Sequence, residues 1–187
     1  MNSDTPVPVR ERTRGLIIDH AKLLFIGRGY AQTSLQDIAT SVGCSKAVIS
    51  YHFSSKQALL DEVIAPGLAE LRQLLNDLAG IPAAAAQAKA ARGLVDIATR
   101  HRAVVVMLAE VYSTPGENSA LAELIDCGHR VVELLAGSTE PDAIALAEFA
   151  VAGLQALCMH PGYLDDSALQ SILTTAMSRL LRPATDS

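Results

Sequence analysis

From about Glu11 the apolar positions Ile17, Ala21, Leu24 and Phe25 recur at i, i+4, i+7 and i+8, the spacing of one helix face. The pattern stops at Gly27-Arg28-Gly29, where glycine supplies the left-handed conformation that closes a helix. Thr33 or Ser34 caps a second helix, with Gln36 and Asp37 in its first turn and Ile38, Ala39 and Val42 on its buried side. Gly43 follows at once, and Ser45 caps a third helix running to about Phe53. Two short helices separated by a glycine-containing turn are the sequence form of a helix-turn-helix. Ser54 or Ser55 caps a fourth helix from Lys56, which Pro66-Gly67 either kinks or stops and restarts.

The rest of the chain keeps the helical period. Pro82 suits a helix start, residues 83–91 are rich in alanine, and the pattern continues through Leu94, Ile97 and Val104 to Leu108, with a break near His101. Thr114-Pro115-Gly116 marks a turn, followed by a helix through Leu121, Leu124, Ile125, Val131, Val132 and Leu135. Pro141 starts a helix that reaches about Met159, and residues 165–181 form the last one. No alternating strand pattern or internal repeat interrupts this, so the expected fold is all-α with about nine helices. The composition agrees: half the residues are apolar, aromatics are few and there is no Trp.

Charge refines the picture. The net charge of −5 disguises an asymmetry: up to residue 60, seven Lys and Arg stand against four acids, and beyond it eight stand against sixteen. A basic head on an acidic body suits a DNA-binding protein. Cys44, Cys127 and Cys158 form no closely spaced pair and read as reduced thiols of a cytosolic protein. Residues 1–15 show no signal peptide, so a cytoplasmic location is expected. The most apolar window, residues 143–159, contains Glu148 and Gln155 and suits a buried or intersubunit helix better than a membrane span.

With Ile49 and Phe53 on the core side of the third helix, a step of 100° per residue turns Ala47 and Tyr51 outward, flanked by Val48 and Ser50, with Lys46 closer in. Lys46 is the one charged candidate for reading a base edge, Ala47 and Val48 offer apolar contact, and Ser50 donates or accepts. Ser45 opens this helix, and Gln36 on the preceding helix reaches either an adenine or the backbone. Thr33, Ser34, Tyr51, His52 and Lys56 are the phosphate candidates, with a packing role open for Tyr51 and a structural hydrogen bond open for His52. Specificity should draw heavily on DNA shape and dimer spacing.

These residues resemble the tetracycline-repressor (TetR) family over about residues 10–63. The resemblance rests on Ile17, Ala21, Phe25 and Gly29, then Thr33-Ser34-Leu35-Gln36-Asp37-Ile38-Ala39, Gly43-Cys44-Ser45-Lys46-Ala47 and His52-Phe53-Ser54-Ser55-Lys56-Gln57-Ala58-Leu59-Leu60. Residues 1–9, with two prolines and no periodicity, read as a disordered arm, and the resemblance implies a three-helix DNA-binding head at 10–55 and a ligand-binding and dimerisation body at 56–187, with 56–79 as connecting helix. The last two helices would pair with their symmetry mates as a four-helix bundle. The implied protein is a homodimer on an inverted-repeat DNA operator, usually a repressor released by a small-molecule effector. Ser50 stands where the family usually has Tyr, removing an aromatic phosphate contact, and Cys44 stands where Val is usual.

Beyond residue 64 no motif of comparable strength occurs. His101, Met107, Tyr112, Cys127 and Phe149 are candidates to line an apolar ligand pocket. The histidines share no ligand spacing with one another or with the cysteines, so no metal site and no cofactor is expected. Without a phosphate loop, nucleophile elbow or catalytic carboxylate pair, an enzyme is not expected either. The rival reading is a helical small-molecule-binding or interaction protein with a DNA-incompetent head.

Overall fold

The computed structural model describes residues 8–102, 104–105, 107, 119–159 and 165–181. Among the described residues there are eight α-helices and no strand: α1 (Val9–Arg28), α2 (Leu35–Val42), α3 (Lys46–His52), α4 (Lys56–Leu78), α5 (Ala83–Arg100), α6 (Ser119–Ala136), α7 (Pro141–Cys158) and α8 (Asp166–Leu180). The fold is all-α as expected, and the described residues complete eight helices where the sequence predicts about nine. Helical residues resume at Arg102, Val104, Val105 and Met107, between α5 and α6. Residues 1–7 of the expected arm, the 114–116 turn and Tyr112 lie outside the described residues.

At eight and seven residues, α2 and α3 are too short to persist alone in water and depend on caps and burial. Ser34 Oγ accepts from the Asp37 amide at 3.1 Å while the Ser34 amide donates to Asp37 Oδ2 at 2.8 Å, a reciprocal cap. Gly43, at φ 78° and ψ 31°, is the left-handed residue that ends α2 and turns the chain into α3. The hydroxyls of Ser45 and Ser55 cap α3 and α4. Ile17, Ala21 and Phe25 of α1 join Ile38, Ala39, Ile49, Phe53, Leu59 and Leu60 in the buried core under the turn. Each large side chain there contributes about 1.5–3 kcal/mol.

α4 runs unbroken through Pro66 and packs against α1 as well as α5 and α6, so one helix joins head to body. α5 lies close to α4 at Gly93, where a Cβ would come within 2.5 Å of Leu74 Cδ1. α5 also packs against α8, and α6, α7 and α8 pack in succession. Arg72 of α4 pairs with Glu123 of α6, and Gln170 of α8 donates to Asp96 of α5 at 2.6 Å.

Candidate nucleic-acid interface

α3 presents one face to the core and the other to solvent. Ile49 is fully buried and Phe53 nearly so, whereas Lys46, Ala47, Ser50 and Tyr51 are exposed and Val48 and His52 are half-buried. Tyr51, at 67% exposure, is not a packing residue; its ring meets His52 edge-on at 5.2 Å. Ser34, Gln36 and Ser45 are exposed on the same side of the sequence motif, at the starts of α2 and α3. The chain thus brings a row of short polar groups and one lysine onto an open helix surface of the size that a major groove admits.

Two expected phosphate contacts turn inward instead. Thr33 is buried, and its hydroxyl donates to the Gly29 carbonyl at 2.8 Å, holding the end of α1. Lys56 Nζ donates to the carbonyls of Tyr30 and Thr33 at 2.8 and 2.9 Å and lies 4.2 Å from the Tyr30 ring centre. Its ammonium therefore ties the start of α4 to the α1–α2 turn. The Tyr30 ring packs edge-on against Phe25 at 5.1 Å, and its hydroxyl donates to Gln57 Oε1 at 2.7 Å. Burial pushes the Tyr30 hydroxyl above its ordinary pKa, with Asp61 adding to the shift.

The electrostatics of the head follow from which cations have carboxylate partners. Hydrogen bonds from Ser34, side chain first and amide second, hold the Asp37 carboxyl below the usual range, and Arg28 lies 4.0 Å away. Arg14 pairs with Glu62 at 2.5 Å and covers the Phe53 ring at 5.1 Å. Arg10, Arg12, Lys22 and Lys46 have no ion pair among the described residues. Arg10 sits over the Tyr51 ring at 5.4 Å. The helical period of α1 gave no indication of this, because the partners are far apart in sequence.

In the body, α4, α5, α6 and α7 enclose a cavity of about 110 Å3 whose lining is aliphatic except for His101 and Gln155. His101 packs on Gly67 of α4, where a Cβ would meet the ring at 3.3 Å, and its Nε2 bonds Glu70 Oε1 at 3.0 Å. That bond first, and Arg100 second, hold the Glu70 carboxyl below its usual range. Of the expected pocket residues that are described, only His101 lines this cavity. Met107 and Cys127 are buried among core side chains outside it, with burial pushing the Cys127 thiol up. Phe149 points the other way: it is 66% exposed on the outer surface of α7.

Leu146 of α7, Met159 at its end and Ile172 of α8 are also exposed apolar side chains, while Ala147, Ala150, Leu154 and Cys158 are buried. α7 is also long and apolar enough to cross a membrane, but it packs between α6 and α8 on one side. Among the described residues no cluster of His, Cys, Asp and Glu could hold a metal ion.

A family model described as bacterial regulatory proteins, tetR family, matches residues 17–63. The chain is 46% identical over 48 residues to IcaR of Staphylococcus aureus (strain Newman), a negative transcriptional regulator of the biofilm operon icaADBC; the match covers 26% of each chain. It is 37% identical over 70 residues to the uncharacterized HTH-type transcriptional regulator YerO of Bacillus subtilis (strain 168), covering 35% of this chain and 24% of YerO. The matches thus span about a quarter of these curated relatives. Among solved structures, the TetR family regulator PfmR of Thermus thermophilus superposes with a TM-score of 0.71 at 20% identity, covering 97% of this chain and all of PfmR. The ketosteroid transcriptional regulator KstR2 of Mycobacterium tuberculosis gives 0.69 at 18% identity, covering 94% and 95% of the two chains. The capped α2–turn–α3 unit on the α1 core is thus the segment that matches the tetR family model, and the chain as a whole shares the fold of these TetR-type regulators.

Proposed function

We propose that the chain is a cytoplasmic, homodimeric transcription regulator that binds an inverted-repeat operator, acts as a repressor and is released by a small apolar or amphipathic effector. The observation that carries this reading is the open face of α3 within a head that matches the tetR family model. Residues 10–55 bind DNA and residues 56–187 carry the effector and dimer sites. Lys46 and Ser50 meet base edges, Ala47 and Val48 make apolar contact, and Gln36 reaches from α2. Ser34, Ser45, Tyr51 and His52 lie at phosphate positions.

The exposed apolar side chains on α7 and α8, Phe149 foremost, support pairing of these helices with a second copy. The aliphatic cavity supports an effector of about the size of benzene, with His101 and Gln155 to orient a single polar group. Such a ligand would bias α4 through His101, which lies against Gly67 beside Pro66. The two recognition helices would then no longer match major grooves roughly 34–36 Å apart. The test is a titration of the purified chain against the DNA upstream of its own coding sequence, in which salt-sensitive binding is expected and its absence contradicts the reading.

A further inference from the structure

Arg10 stands in the first turn of α1, yet it meets the far end of the recognition helix. Its guanidinium lies 5.4 Å above the ring of Tyr51, on the exposed side of α3 next to the exposed hydroxyl of Ser50. Both partners are at the surface, so the contact does not fill the core. It places a cation where the sequence motif itself supplies none: Lys46 is at the opposite end of α3. Arg14 is attached to Glu62, Arg28 lies near Asp37 and Lys56 is turned onto two backbone carbonyls, while Arg12 and Lys22, which like Arg10 have no ion pair among the described residues, have no seat over a ring there either. Arg10 has no carboxylate partner among the described residues; Glu11, adjacent in the chain, is exposed and does not pair with it.

A guanidinium held over an aromatic ring keeps N–H groups free to donate in pairs to a phosphate. The ring restricts the long side chain beforehand, which reduces the entropy lost on binding. We propose that Arg10, seated on Tyr51, is a phosphate clamp that grips the DNA backbone at the edge of the recognition helix. The clamp rests on the DNA-binding reading and deepens it. It carries no sequence information; it fixes the register in which the sparse base-facing set of α3 meets the groove.

The slope of log Kd against log salt measures it directly, on the upstream duplex and on mixed-sequence duplex DNA. Each phosphate contact given up reduces the slope by about 0.9, so Arg10→Ala should lower it by about 1.8 for a dimer with two copies. Affinity should fall by the same factor on both duplexes with an unchanged melting temperature, and Arg10→Lys, which keeps the cation, should retain the slope. An unchanged slope in Arg10→Ala overturns the clamp. So does a loss confined to the upstream duplex with the slope intact, which would make Arg10 a base reader. If the unsubstituted chain binds neither duplex, the DNA-binding reading itself fails, and that outcome is distinguished by needing no variant.

Discussion

Ser34 and Asp37 hold the first turn of α2 by hydrogen bonds in both directions, and the turn they hold carries Gln36 outward and Ile38 inward. Ser34→Ala removes the acceptor for the Asp37 amide and should cost about 1 kcal/mol of stability in a urea titration, within the range of helix caps. A loss below experimental error would mean that burial of Ile38 and Ala39 alone sets α2. The same pair predicts a pH dependence. Asp37 has its carboxyl lowered in the folded chain, as do Glu70, Glu123 and Asp165. The stability they contribute is complete above their ordinary value near pH 4 and is lost as pH falls through the depressed folded values. Ser34→Ala should therefore also weaken the acid-side slope of stability, because the serine is the main cause of the Asp37 shift.

The start of α4 is an element whose position depends on one side chain. Lys56 binds the carbonyls of Tyr30 and Thr33, joining α4 to the α1–α2 turn across more than twenty residues of sequence. Lys56→Ala should destabilise the chain by about 1.5–3 kcal/mol, as expected for hydrogen bonds from a charged donor, and lower the melting temperature while leaving the salt slope of DNA binding unchanged. A reduced slope at constant melting temperature would return Lys56 to the phosphate contacts. The contrast shows what was legible beforehand. The Ser34, Ser45 and Ser55 caps, the Gly43 turn, the inward pair Ile49 and Phe53 and the break at His101 all follow from local spacing and local hydrogen bonding, which a sequence displays. The inward turn of Thr33 and Lys56, the seat of Arg10 on Tyr51 and the packing of His101 on Gly67 are set by partners on other helices. Periodicity tells which face of a helix is buried, not what lies against it. Phe149 illustrates the same limit: its apolar character suggested a pocket, whereas its position on α7 puts it on the outer surface.

At the scale of the whole molecule, the two halves do different work in the proposed mechanism. The head offers few base-reading groups, so affinity and specificity must be multiplied by presenting two heads at a fixed separation. In the proposed dimer, the exposed apolar side chains of α7 and α8 make that pairing. Phe149→Asp replaces the most exposed of these apolar side chains with a charge and should leave the chain monomeric in sedimentation velocity at concentrations where the unsubstituted chain is a dimer, with its fold retained. A Phe149→Asp dimer would place the subunit contact elsewhere. Head and body are joined through α4, which carries Gly67 against His101 at the edge of the cavity and Lys56 against the turn of the head. The central claim is that this assembly recognises DNA. Its most direct test is a titration of the purified, unsubstituted chain against the duplex upstream of its coding sequence, repeated at rising salt. The account predicts binding that weakens linearly on a log–log scale with salt and that exceeds binding to mixed-sequence duplex; no binding at low salt, or equal binding to both duplexes, would contradict it.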